Sequence, residues 1–250
     1  PDGGERRTNT DAAGLVTTMT TDAGGTTTTA WPDGSTEVVV PDADPRWGMQ
    51  SRFAKSITFR TPGGLTSTTT VARSVELADP ANPLSGNFYE DVRVNGRWYE
   101  WYHDRAANVG TYWTPLNRWA DEQYDGQGRT ISWTPNGLLG VQYGYDPKGR
   151  LTTITQGTRQ ATIAYDTRNR PVTFTDPMQH SVTFGYDDAD RITSQTLPDG
   201  RVIGFSYDAN GNVIQVVPPG RPGHLFSYTS VDLTQGYVPP AVPGTGATVY

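Results

Sequence analysis

Carboxylates are the residues in this chain whose spacing most resembles chemistry. Asp follows Tyr at Tyr124-Asp125, Tyr145-Asp146, Tyr165-Asp166, Tyr186-Asp187 and Tyr207-Asp208, and a lone Tyr228 falls on the next beat. The steps are 21, 20, 21, 21 and 21 residues. Rows of Asp invite a glycosidase reading, but a general acid and a general base need distinct environments, and repeated positions share one. These residues are therefore read as structural repeat positions, and no catalytic residue is assigned.

Other candidate chemistries thin out in the same way. His103, His180 and His224 are the only histidines, with no helical pair or short ligand spacing between them. A Ser, His and Asp triad can be drawn in any chain this rich in Ser and Asp, but the Gly-x-Ser-x-Gly nucleophile elbow is missing. His103 and His224 are expected to stand in for an aromatic or apolar residue of the array. Asp208-Ala-Asn210-Gly211-Asn212 looks like the opening of a calcium loop, yet the closing Glu is absent and sister units carry Lys, Arg or Ala there. No metal or cofactor is assigned. Of the seven Trp, those at Trp98, Trp101, Trp113 and Trp119 cluster where the repeat begins, and exposed indoles there could stack on sugar rings. The competing reading has them filling or capping an irregular end of the array.

Such constancy of spacing means one supersecondary unit copied in tandem. Each unit opens with a turn, as in Tyr145-Asp-Pro-Lys-Gly-Arg-Leu151 and Tyr207-Asp-Ala-Asn-Gly-Asn-Val213, where Asp can accept backbone N–H bonds and Gly or Asn tolerates φ > 0. A second turn mark follows about ten residues later, at Pro135, Gln156, Pro177, Pro198 and Pro219. The stretch entering each Tyr alternates, as in Val182, Phe184, Tyr186 and Ile203, Phe205, Tyr207, which is the period of a strand with one apolar face. Two turns per unit predict two short strands, hence a ladder of β-hairpins. The Arg at 129, 150, 170 and 191 can reach back to its own Asp or on to the next unit, and a Tyr at one height in every unit would pin the register.

Residues 1–101 are less regular. Asp11-Ala-Ala-Gly14 and Trp31-Pro32-Asp33-Gly34 echo the turns, and His103-Asp104 is a degenerate beat. Residues 41–48 and 78–87 read as breaker-rich loops, and 56–60, 67–73 and 97–102 as strands. The expected organisation is a degenerate part, 1–101, and a regular array, 102–250, in one continuous all-β structure with no helix. Pro1-Asp2-Gly3 and Val249-Tyr250 look like cut ends of a longer chain, and unpaired edges there would allow end-to-end self-association.

Composition agrees: abundant Thr, 28 Gly, 19 Pro and 11% aromatics favour strands and turns. With 20 basic and 26 acidic residues, net charge −6, the chain has no concentrated basic stripe, so nucleic acid is excluded as an expected partner. Cys is absent, no apolar run is long enough to span a bilayer, and the first residues lack a signal-peptide layout.

These units, Tyr-Asp-x-x-Gly-Arg-Leu followed by Pro-Asp-Gly and an alternating strand into the next Tyr-Asp, resemble the Rhs or YD repeats of bacterial polymorphic toxins, insecticidal toxin-complex proteins and teneurins. The resemblance implies a large spiralling, curved β-sheet forming part of a shell around a C-terminal toxin or unfolded cargo, and a secreted or cell-surface, bacterial setting. Partners would then be other parts of the same polypeptide. A self-cleaving Asp-Pro-x-Gly-Leu segment, which ends the shell in such families, does not occur here. An extended surface assembly is the other form expected of such a structural array, and the alternative is a cell-surface module that binds glycans or a receptor through exposed Trp and Tyr.

Overall fold

The computed structural model describes residues 3–240, all of it strand, turn and loop. The cut ends expected at Pro1-Asp2 and Val249-Tyr250 lie outside the described residues. Two compact units divide the chain, Pro1–Gly140 and Val141–Tyr250.

In the first unit eleven strands follow one another as an antiparallel meander: β1 (Glu5–Thr10), β2 (Val16–Thr21), β3 (Thr27–Ala30), β4 (Thr36–Asp44), β5 (Gly48–Arg60), β6 (Thr66–Glu76), β7 (Asn87–Val94), β8 (Arg97–Asp104), β9 (Val109–Trp113), β10 (Trp119–Tyr124) and β11 (Thr130–Pro135). The region expected to be a loop at 41–48 is mostly strand. Pro41–Asp44 extends β4, and only residues 45–47 turn. Pro41 is tolerated because the register shifts between Val40 and Pro41, where the ladder does not require its missing N–H. The loop expected at 78–87 is present, with Asn87 already opening β7.

The second unit is a meander of ten strands: β12 (Val141–Tyr145), β13 (Leu151–Gln156), β14 (Arg159–Tyr165), β15 (Pro171–Thr175), β16 (Ser181–Tyr186), β17 (Ile192–Thr196), β18 (Val202–Tyr207), β19 (Val213–Val217), β20 (His224–Tyr228) and β21 (Thr234–Val238). Two strands per 21-residue unit is the arrangement expected from the turn marks.

Neither unit has a conventional core. Among the described residues the only apolar side chains under a tenth exposed are Phe88 and Ala120, both in the first unit. Within each unit the contacts run between strands that follow one another in the chain, so cohesion lies between sequential neighbours.

Candidate functional site

Four of the Tyr-Asp turns, at Asp125, Asp146, Asp166 and Asp187, are built the same way. The Asp146 backbone N–H donates to the Arg150 carbonyl and the Gly149 N–H to the Asp146 carbonyl, with Gly149 at φ +82°. One carboxylate oxygen of Asp146 accepts from the N–H groups of Lys148 and Arg150, and the other takes the Arg150 guanidinium at 2.7 Å. Asp125 with Arg129, Asp166 with Arg170 and Asp187 with Arg191 repeat this geometry. The backbone N–H of that arginine, then its side chain, holds the Asp125 and Asp146 carboxyls below the usual range. Asn169 at φ +69° and Asp190 at φ +62° occupy the place of Gly149. They are two of the few non-glycine types that adopt this region readily.

Every such hairpin carries a β-bulge one step before its Tyr, which sequence reasoning did not foresee. Tyr145 faces Leu151 while Gly144 faces Thr153, leaving Thr152 as the extra residue, and the pattern recurs at Tyr124, Tyr165, Tyr186, Tyr207 and Tyr228. The bulge increases local twist and interrupts the ladder. Pairing of β13 with β14 stops at Thr153, two residues short of Leu151. The Tyr165 hydroxyl fills that gap by donating to the Leu151 carbonyl at 2.9 Å. Tyr186 does so to Pro171, Tyr207 to Ile192 and Tyr228 to Val213.

The arginines complete the link between repeats. Arg150 lies 4.5 Å from the Tyr165 ring centre, Arg170 4.6 Å from Tyr186 and Arg191 4.7 Å from Tyr207. Arg170 and Arg191 also donate to the backbone carbonyls of Asp187 and Asp208 in the following turn. One side chain thus clasps its own Asp, the next Tyr and the next turn. Where Arg is missing, amides take over: Asn212 binds Asp208 and Asp232, and Asn108 donates to the carbonyls of Tyr124 and Asp125. The oxygens of the calcium-like stretch are engaged in this lattice, since the Asp208 carboxylate accepts from the Asn212 amide and backbone.

In the first unit one face carries a second constellation. Asp44, 2% exposed, accepts from Arg46 through both oxygens and from Arg73 at 3.4 Å. Arg46 hydrogen bonding drives its carboxyl below the usual range. Arg73 also pairs with Glu90 at 2.6 Å and lies over Phe53, while Arg46 lies 4.1 Å from the Phe88 ring centre. Phe88 meets Trp101 edge-on, Trp101 stacks near Tyr112, and Tyr112 packs on Trp133. Beyond them Glu122 accepts hydrogen bonds from Tyr112 at 2.8 Å, from Tyr124 at 2.7 Å and from Thr130. Burial pushes the Glu122 carboxyl up, but the three hydroxyls outweigh it and hold it down. Burial raises the Tyr124 phenol strongly and lowers His103, whose ring sits 5.7 Å from that of Tyr124. Buried Nε1 of Trp101 and Nδ1 of His103 have no protein partner. His103 thus lies among aromatic rings, as does His224, stacked on Tyr237 and hydrogen bonded to its hydroxyl.

The four indoles singled out from sequence are all half-buried, and they are divided between the two faces. Strand alternation puts Trp101 with Phe88 and Tyr112. Trp98, Trp113 and Trp119 take the other face, where Trp113 stands opposite Trp119 and Trp98 donates to Asp91. Glu122, Asp44, Arg46 and Arg73 went unnoticed because nothing in their spacing links residues 44, 73 and 122. The hydroxyl triad around Glu122 could have been suspected only from the dense aromatics at 98–133.

Comparisons with known proteins agree with this architecture. A family model described as the teneurin YD-shell matches residues 94–238, more than half of the chain. Among solved structures, a crystal structure of TcdB2-TccC3 without its hypervariable C-terminal region superposes with a TM-score of 0.57 at 13% identity, over 89% of this chain and 13% of that one. The TcdB2-TccC3-Cdc42 crystal structure gives 0.53 at 11% identity, covering 93% and 15%. A Photorhabdus luminescens Tc holotoxin pore gives 0.53 at 12% identity, again covering 93% and 15%. At such identities the likeness is one of fold, and the chain spans about a seventh of the matched chains' length. No curated protein matches the chain.

Proposed function

Because the chain belongs to the teneurin YD-shell family, we propose that it is a stretch of shell wall: a non-enzymatic structural module of an Rhs/YD-repeat protein that helps enclose or deliver a C-terminal toxin or cargo. The observation that carries this reading is the clasp between repeats. Asp, Arg and the following Tyr bind one hairpin to its successor, so the Asp125, Asp146, Asp166 and Asp187 carboxylates are held in ion pairs at the turns. Such an array lengthens by adding units and supplies a continuous wall. The fold shared with Tc toxin structures supports a secreted, bacterial setting and partners within the same polypeptide.

Electron microscopy of the complete gene product tests the proposal. The expected result is a closed compartment walled by these hairpins, and a sheet with solvent on both faces would overturn it. A second reading, glycan or receptor binding, draws on the direct opposition of Trp113 and Trp119 on the face shared with Trp98. Glycan binding that disappears in Trp113→Ala and Trp119→Ala would favour it, and binding indifferent to both would remove it.

A further inference from the structure

The β8–β9 hairpin carries an apolar groove on the Trp101 face. Two hollows of about 450 and 680 Å³ share Tyr99 and Thr114. The inner one is walled by Val92, Tyr99, Trp101 and Tyr112, and the outer one by Pro115 and Leu116 with Arg97 and Arg118 at its mouth. Tyr99 is 38% and Leu116 74% exposed, so this apolar surface faces solvent. Elsewhere in the first unit Arg7, Arg46, Arg73 and Arg129 are ion-paired, while Arg6, Arg52, Arg60, Arg93 and Arg105 have no carboxylate partner among the described residues, so what sets Arg97 and Arg118 apart is their place at the mouth of the trough. Arg97 and Arg118 are exposed, and neither guanidinium has a carboxylate partner among the described residues. The carboxylates bordering the groove are Glu90, already neutralised by Arg73, and Glu100, whose register position opposite Trp113 belongs to the other face. A net-acidic chain therefore presents here an aromatic trough with two uncommitted positive charges at one end.

We propose that this groove binds an extended peptide segment carrying an aromatic or large aliphatic side chain beside a carboxylate. The apolar side chain lies against Tyr99, Trp101 and Tyr112, and the carboxylate meets the Arg97 and Arg118 guanidinium groups, which can bind it in a forked geometry. A basic peptide of equal apolarity binds more weakly, since its charge would face two like charges. This inference stands apart from the shell reading, because the groove lies within one hairpin and its neighbours and needs no closed compartment.

Calorimetric titration of the chain with acetyl-Glu-Phe-Glu-Phe-amide and acetyl-Lys-Phe-Lys-Phe-amide tests it. The acidic peptide should bind at least about tenfold more tightly, with affinity falling as salt is raised. In R97E/R118E the preference should reverse, and Tyr99→Ala should weaken both peptides while keeping their order. Both arginines are exposed, so the variant should fold, and circular dichroism checks this. If it does not, R97Q/R118Q should abolish the preference. Equal binding of the two peptides, binding of neither, or a preference unchanged by the arginine substitutions would overturn the proposal.

Discussion

The guanidinium carbon of Arg170 lies 4.6 Å from the ring centre of Tyr186, so the arginine that closes one repeat's turn is covered by the tyrosine that ends the next hairpin's first strand. The same arginine holds Asp166 at 2.7 Å and donates to the Asp187 carbonyl. Coupling between repeats is therefore concentrated in one side chain, and its energetic weight can be measured.

A double-mutant cycle of Arg170→Ala and Tyr186→Ala should return a coupling of about 0.5–1 kcal/mol, the range for a cation over an aromatic ring near the surface. Arg170→Lys should recover only part of it, since an ammonium cannot both fork onto Asp166 and lie flat on the ring. All seven Trp lie in the first unit, so the cycle must be read by circular dichroism in urea. Additive losses would show that the ring contact contributes nothing.

Removing one hydroxyl tests the bridging role of the tyrosines. Tyr207→Phe deletes the donor to the Ile192 carbonyl, 2.7 Å away, and should cost about 1 kcal/mol. Hydrogen exchange should accelerate around β17 and β18 and not in distant hairpins, because repeat arrays lose stability locally. Uniform acceleration through the second unit would contradict nearest-neighbour coupling.

Glu122 should be far less replaceable than the turn carboxylates. Glu122→Leu leaves the Tyr112, Tyr124 and Thr130 hydroxyls without their shared acceptor and should cost about 2–4 kcal/mol. Glu122→Gln, which keeps one acceptor oxygen, should cost less. Trp fluorescence in urea reports this unit alone, and equal midpoints for the two variants would refute the role given to the hydroxyls.

Acid stability should fall in two windows. His103 has a folded-state pKa depressed below its ordinary value of 6.5, so the folded state binds fewer protons than the unfolded one. Its contribution is complete above pH 6.5 and is lost as pH drops through the folded value. Asp125, Asp146, Asp166 and Asp187 are also depressed, from 3.8, so their contribution is present above pH 3.8 and lost further into acid. His103→Gln should flatten the upper window and leave the lower one, as followed by unfolding midpoints against pH.

Backbone conformation accounts for part of the turn chemistry. A Cβ on Gly149 would meet nothing within 4 Å, yet φ is +82°, so Gly149→Ala should cost about 1–2 kcal/mol from conformation alone. Asn169→Gly, at φ +69°, should relieve local strain while losing the amide oxygen that Lys148 and Arg150 use. Thermal melts of the two variants should therefore move unequally, and a silent Gly149→Ala would refute the strain argument.

The 21-residue beat alone determined the hairpin ladder, because turn chemistry and strand alternation are local properties: Asp146 needs only residues 148–150 to define its turn, and Val182, Phe184 and Tyr186 need only period two to share a face. The bulge at each Tyr was hidden, since which residue is extra depends on pairing across the hairpin. So was the recipient of each tyrosine hydroxyl, a carbonyl 14 or 15 residues back that is left open because the bulge ends the ladder there. The tertiary structure alone brought Asp44 to Arg73 and Glu122 to Thr130, and divided the four indoles between two faces. Register over several strands decides which distant residues become neighbours, and no local pattern encodes it.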